Sequence, residues 1–353
     1  MKNSNLTITD IAASAGVSKA TVSRYINGKY EYMSEVTRKR IASVIRVTGY
    51  QPSNIARSLK SQRSRLIGLV VADIESPFTA SAVKSIGNAL QASSYNIIIA
   101  NSDNNVEKER AHINDMLNHR VDGLIVNTTT MRNPTLISVA NNGVPIVLLD
   151  RFIEDYKLDI AYFQTQEPIF FAVDHLKAEG YGPLALFLQP SNDISPRKHR
   201  REAFVNKLTQ MDIPASEQYV FEMDPADHAG TNELVRLLVS RSSLNSPPAI
   251  ITTSGVMLMH IAQAILTLGY KMPREIGLCG FDDWGWSNKL DWASIIDVGL
   301  TTLTPSMHQL GESTVQLLLS RLEDSDHPKR EIAIEAPLVV RGSTRLKEAI
   351  EHQ

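Results

Sequence analysis

A single cysteine in 353 residues, Cys279, excludes an internal disulfide framework and any cysteine-rich zinc site. It stands in the apolar run IGLCGF, where a buried, inert thiol is expected rather than a nucleophile. No apolar run approaches the length of a membrane span, and the N-terminal MKNSNLTITD lacks the apolar core of an export signal; a cytoplasmic, nucleoid-associated protein is therefore expected. A Gly-rich dinucleotide fingerprint, a phosphate loop, an HExxH pair and a nucleophile elbow are also missing. The sequence thus argues against an enzyme, and no cofactor or metal is expected.

What is present begins with an uneven charge. The formal net charge of −2 hides twelve basic against three acidic side chains in residues 1–65, a balance of +9 that leaves −11 for the remainder. A basic head on an acidic body suits phosphate neutralisation at one end and keeps DNA off the other. Within that head, residues 7–27, TITDIAASAGVSKATVSRYIN, spell two short helices around a Gly-centred turn. The first is predicted from Thr9 to Ala15, with Ile11, Ala12 and Ala15 buried and Gly16 as its stop. Val17 plugs the turn, Ser18 caps the second helix, and Val22 and Ile26 face the core. Lys19, Ala20, Ser23 and Arg24 are left outward, at the end of a helix that can enter the major groove. There Arg or Lys donates to guanine N7 and O6, and Ala meets a thymine methyl.

Ser34 then caps a third helix, SEVTRKRIASVIRVTG, whose Ile41, Val44 and Ile45 lie on one face and whose stop is Gly49. The segment NIARSLKSQRS that follows is basic, polar and too short to fold alone, which makes it a linker or a segment that orders on binding. From Ile67 the pattern becomes α/β. Candidate strands are IGLVVAD, YNIIIAN, GLIVNT, PIVLLD, PLALFL, AIITT and IGLCGFD, nearly continuous apolar runs of the kind that parallel strands covered on both faces require.

The order helix-turn-helix, third helix, YQPSNIARSL, LIGLVVADIESPF, GVPIVLLDR, GLCGFDD, LTTL and PLVVRGSTR resembles the LacI/GalR family of bacterial transcription regulators over nearly the whole chain. The resemblance implies an N-terminal all-α helix-turn-helix domain at 1–51, a hinge helix and linker at 52–65, and an α/β body at 66–353. That body would be two Rossmann-like subdomains resembling periplasmic binding proteins, the first about 66–163 plus 293–323 and the second about 164–292 plus 324–345. It further implies a homodimer on a near-palindromic double-stranded DNA operator, with no membrane partner, that responds to a small-molecule effector. The chain ends at RGSTRLKEAIEHQ without a leucine-heptad tail, so a dimer rather than a tetramer is expected. By the same resemblance Thr7, Ser18, Lys19, Ala20, Thr21, Ser23, Arg24, Asn27 and Tyr50 belong to the DNA-binding surface. Ala56 would reach the minor-groove floor, and Leu59 would wedge open a base step. Effector-lining positions carry over to Phe78, Asp150, Arg197, Arg200 and Asp282.

Departures from the family pattern bear on the effector. Ser254 and Gly255 stand where an Asn-Asp pair is frequent, Pro225 replaces an aromatic, and SPRKHRREAF concentrates Arg197, Lys198, Arg200 and Arg201. Fewer acceptors and more cations favour an anionic sugar derivative, a sugar acid or a phosphorylated sugar. The expected function is a repressor of a carbohydrate or sugar-acid utilisation operon. A corepressor-dependent or activating regulator is the alternative within the family. Outside it stands a cytoplasmic sugar-binding protein or α/β enzyme with a basic tether.

Overall fold

The structure, a computed structural model, describes residues 6–51, 63–190, 193–243, 245–281 and 290–351. Ala56, Leu59 and Asp282 lie outside the described residues. The chain forms two compact units that divide between Arg65 and Leu66.

The smaller unit holds α1 (Ile8–Ser14), α2 (Lys19–Ile26) and α3 (Glu35–Thr48). α1 begins and ends one residue before its predicted bounds, because Thr7 takes the N-cap position and Ala15 becomes the C-cap. Both the backbone N–H and the hydroxyl of Thr7 donate to the Asp10 carboxylate, at 2.8 and 2.7 Å. Gly16 turns the chain at φ +60°, a left-handed conformation that glycine reaches without steric cost. Ser18 then accepts from the Thr21 N–H at 3.1 Å, and Ser34 repeats this cap on Thr37 at the start of α3. Ile11, Ala12, Ala15, Val22 and Ile41 close the core, with Val17, Ile26, Val44, Ile45 and Tyr50 packed around it. So small a core leans on each member; burying one large aliphatic side chain contributes about 1.5–3 kcal/mol.

The larger unit contains two sheets. In the first, β1 (Leu66–Val71), β2 (Asn96–Asn101), β3 (Gly123–Val126), β4 (Ile146–Leu149) and β5 (Asp159–Phe163) are parallel, in the order β5-β4-β3-β1-β2. α4 (Pro77–Leu90), α5 (Val106–Asn118) and α6 (Pro134–Asn141) link them. α7 (Gln166–Glu179) leads into the second sheet: β6 (Leu184–Leu188), β7 (Tyr219–Glu222), β8 (Ala249–Thr252) and β9 (Gly277–Phe281). Its linking helices are α8 (Ser195–Gln210), α9 (His228–Ser240) and α10 (Gly255–Leu268). Every candidate strand read from an apolar run is present, and each sheet is sandwiched between two apolar clusters.

The closing segments differ from the expected subdomain limits. β10 (Thr301–Leu303) pairs in parallel with β9, so residues up to 303 belong to the second subdomain and not, from 293, to the first. α11 (Met307–Glu323) returns to pack on α4, and β11 (Glu331–Ile334) pairs in parallel with β5. β11 therefore lies in the first sheet, against the expectation that 324–345 joins the second. β12 (Leu338–Val339) then crosses back to run antiparallel to β10, ahead of α12 (Leu346–Glu351). A buried ion pair secures the return: Arg321 on α11 donates through Nε and Nη2 to both oxygens of Asp159, at 2.8 and 3.2 Å.

Candidate DNA-reading surface and ligand cleft

On the head, the capping of α2 leaves a defined outer face. Lys19, Ala20, Arg24 and Asn27 are exposed, Thr21 and Ser23 half-buried, and Val22 is turned wholly into the core. The Ser18 and Thr21 hydroxyls lie 2.9 Å apart, and the Asn27 amide donates to the Ser23 carbonyl at 2.8 Å, so both ends of the helix are tied. Thr7 sits exposed at the start of α1, its polar groups taken by Asp10, and Tyr50 packs on the small core. The face presents donors and one methyl on a short rigid helix, the chemistry that base edges in a major groove accept.

In the body, the functional candidates follow the C-terminal ends of parallel strands, where open α/β sheets bind ligands. Phe78 starts α4 beyond β1 and meets Phe163 edge to face at 6.1 Å between ring centroids. Asp150 follows β4 at φ +63°, a left-handed position that Asp tolerates better than most residues. Its carboxylate accepts from the Phe163 N–H at 3.1 Å. Burial pushes the Asp150 carboxyl above the usual carboxylate range, and the Arg200 charge opposes that shift.

Arg200, on α8 of the second subdomain, is 5% exposed. Its Nη1 donates to the Thr253 carbonyl, its guanidinium lies 3.8 Å from the Phe281 ring centroid, and its buried Nε has no acceptor among the described residues. Arg197, one turn earlier, donates to the Pro190 carbonyl at 2.8 Å and to Gln189 Oε1 at 3.0 Å. Burial pushes its guanidinium down to about 10, and the nearby charges of Arg151 and Arg200 act in the same direction.

Arg151 is the residue that sequence reasoning missed. It follows Asp150 on the first subdomain's wall and donates to the Thr128 carbonyl at 3.0 Å. Burial lowers its affinity for a proton, countered by Asp150, Glu109 and Asp73. A charged residue beside a turn aspartate reads as solvated, and only the three-dimensional approach of β3's end to β4's end reveals it. Ser254, where the sequence lacks a frequent Asn, caps α10 by accepting from the Met257 N–H at 3.3 Å.

The two walls also touch. The Phe152 N–H donates to Ser195 Oγ at 2.8 Å, Phe152 meets the His199 ring at 5.8 Å, and Lys198 pairs with Glu154 at 3.2 Å. The cleft thus gathers three guanidinium groups, one half-buried carboxylate and an aromatic ring. Among the described residues no group of three or more His, Cys, Asp or Glu side chains is placed to hold a metal ion, and no helix is long and apolar enough to cross a membrane.

A helix-turn-helix head on a binding-protein-like body defines a class: regulators in which one unit reads DNA and the other a small molecule. The sequence comparisons agree part by part. Residues 7–53 match the model of bacterial regulatory proteins of the lacI family, 67–170 a periplasmic binding protein domain, and 173–344 a periplasmic binding protein-like domain. The HTH-type transcriptional regulator PtxS of Pseudomonas putida KT2440 is 33% identical over 96% of each chain, and KdgR of Bacillus subtilis 168 is 32% identical over 96% of this chain and 97% of its own. A lac repressor dimer solved with operator and the anti-inducer ONPF superposes with a TM-score of 0.81 at 22% identity, covering 96% of this chain and 99% of that one. The chain belongs to the lacI family of bacterial regulatory proteins: it is a DNA-binding transcriptional regulator and not an enzyme.

Proposed function

We propose that the protein is a cytoplasmic, homodimeric repressor of a carbohydrate-utilisation operon whose effector is an anionic sugar derivative. The observation that carries the reading is the convergence of Arg151, Arg197 and Arg200 on one cleft, with the buried Arg200 Nε left without an acceptor among the described residues. A buried N–H without a partner costs free energy that a ligand oxygen recovers, and a guanidinium fork fits a carboxylate or phosphate. Asp150 and Phe78, with Asp282 by family resemblance, would orient hydroxyls and cover an apolar sugar face. Similarly folded proteins are described in complex with cellobiose and with D-xylulofuranose, which supports a sugar-like ligand. The repressor sense draws on relatives such as PurR of Aliivibrio fischeri, named a transcriptional repressor and 26% identical.

On DNA, Lys19, Ala20, Ser23, Arg24 and Asn27 would meet base edges, while Thr7, Ser18, Thr21 and Tyr50 hold the head against the backbone. Ala56 and Leu59 would occupy the minor groove between half-sites of a near-palindrome about one helical turn apart.

Calorimetry tests the effector class. Sugar acids or sugar phosphates bind, neutral hexoses do not, and Arg200→Ala weakens binding about ten- to a hundredfold, the range for one lost charge-assisted hydrogen bond. Tight binding of a neutral hexose alone, or an Arg200→Ala protein with unchanged affinity, overturns the proposal.

A further inference from the structure

Glu109 is placed where a surface helix rarely carries a carboxylate. It lies on α5 with 1% exposure, in a stretch, VEKERAHIND, otherwise rich in solvated charge. Its two oxygens serve one turn, the segment 127–133 between β3 and α6. Oε1 accepts from the Thr128 hydroxyl at 2.9 Å and from the Asn133 amide at 2.5 Å, and Oε2 accepts from the Thr129 N–H at 2.6 Å. Asn133 in turn donates to Thr128 Oγ1 at 3.0 Å and caps α6 through the Leu136 N–H at 3.0 Å. The carboxylate therefore fixes the orientation of the Thr128 peptide, and the carbonyl of that peptide holds the Arg151 guanidinium at 3.0 Å.

Three donors converge on one acceptor-only group, which an ionised carboxylate satisfies and no neutral side chain of the same size does. A buried network of this kind is rigid when complete and costly when one member is wrong. Arg151 carries a long side chain with several rotamers, and a fixed carbonyl removes that freedom before a ligand arrives.

We propose that Glu109 is a positioning residue for the cleft: its buried carboxylate clamps the turn after β3 so that the Thr128 carbonyl holds Arg151, and through Arg151 it sets the cleft's preference for anions. The inference rests on the reading of this cleft as the effector site. Glu109 touches no ligand itself. Its replacement by glutamine keeps the size but turns an amide N–H₂ toward donors, so the turn loses its template while α5 keeps its length.

The test uses the full chain and two readouts. Phenylglyoxal labelling followed by mass spectrometry reads the accessibility of individual arginines without any ligand. In Glu109→Gln, and in the milder Thr128→Val, Arg151 labels faster than in the parent protein while Arg197 and Arg200 label at unchanged rates. Calorimetry with D-gluconate and D-glucose reads the consequence. Glu109→Gln lowers gluconate affinity by roughly tenfold, about the effect of Arg151→Ala, and the double variant falls no further, because the two residues act in series. Unchanged Arg151 labelling in folded Glu109→Gln and Thr128→Val proteins overturns the positioning role. Additive losses in the double variant overturn the route through Arg151. A parent protein that binds neither gluconate, glucuronate nor phosphate overturns the anion-selective cleft, whereas the labelling result still decides the positioning role by itself.

Discussion

At the scale of single residues the cleft is a balance of partly desolvated charges, and Asp150 shows its sign. The folded protein holds this carboxyl above its ordinary range, so the native state binds the proton more tightly than the unfolded chain does. Stability from this group is therefore highest at acid pH, falls as pH rises from the unfolded value through the folded one, and stays reduced at neutrality. Asp150→Asn removes that dependence and keeps an acceptor for the Phe163 N–H. The expected outcome is a higher melting temperature than the parent at pH 7 and a gap that narrows toward pH 4; a lower melting temperature at pH 7 would contradict the account. The same residue illustrates what a linear reading conveys. Asp150 and Arg200 stand out because their neighbours form family motifs, whereas Arg151 and Glu109 gain meaning only from partners 23 and 19 to 24 positions away. A charge on a solvated-looking helix or turn carries no local mark of burial.

Among elements, those whose burial is complete were the most legible. β1, β3, β4, β6, β8 and β9 are apolar almost throughout, since parallel strands between two helical layers have no wet face. The helix-turn-helix is legible for a different reason, because its caps and its glycine are fixed by local chemistry at Ser18, Ser34 and Gly16. β5, β10 and β11 were hidden. β5 begins with Asp159, which is wholly buried only because Arg321 reaches it from 162 positions away, and β10 and β11 are three and four residues long. Their pairing decides where the chain crosses between subdomains, and for that reason the expected limits at 293 and 323 were displaced. The Arg321–Asp159 pair is a testable part of this return. Arg321→Ala leaves Asp159 buried without its cation, though the Arg330 N–H still donates to it, and should cost about 3–5 kcal/mol in denaturant unfolding. Arg345→Ala, which removes an exposed pair with Glu348, should cost less than about 1 kcal/mol. Equal effects of the two would refute the structural role assigned to the buried pair.

For the whole molecule, the +9 head and −11 body divide the work before any contact is considered: one unit is attracted to phosphate and the other is not. Coupling between them requires only that a ligand bind two arrangements of the body with different free energies, and the contacts of Phe152 and Glu154 with the second subdomain are what such a ligand would strengthen or break. The most direct test is fluorescence anisotropy on a duplex that the full chain selects from random sequence, titrated with and without a saturating sugar acid that calorimetry has shown to bind. The account predicts preference for the selected duplex over random DNA and an affinity that changes at least about tenfold with the ligand, within the usual range of allosteric coupling. Equal affinity with and without every ligand that binds the cleft, or no preference for the selected duplex, would contradict it.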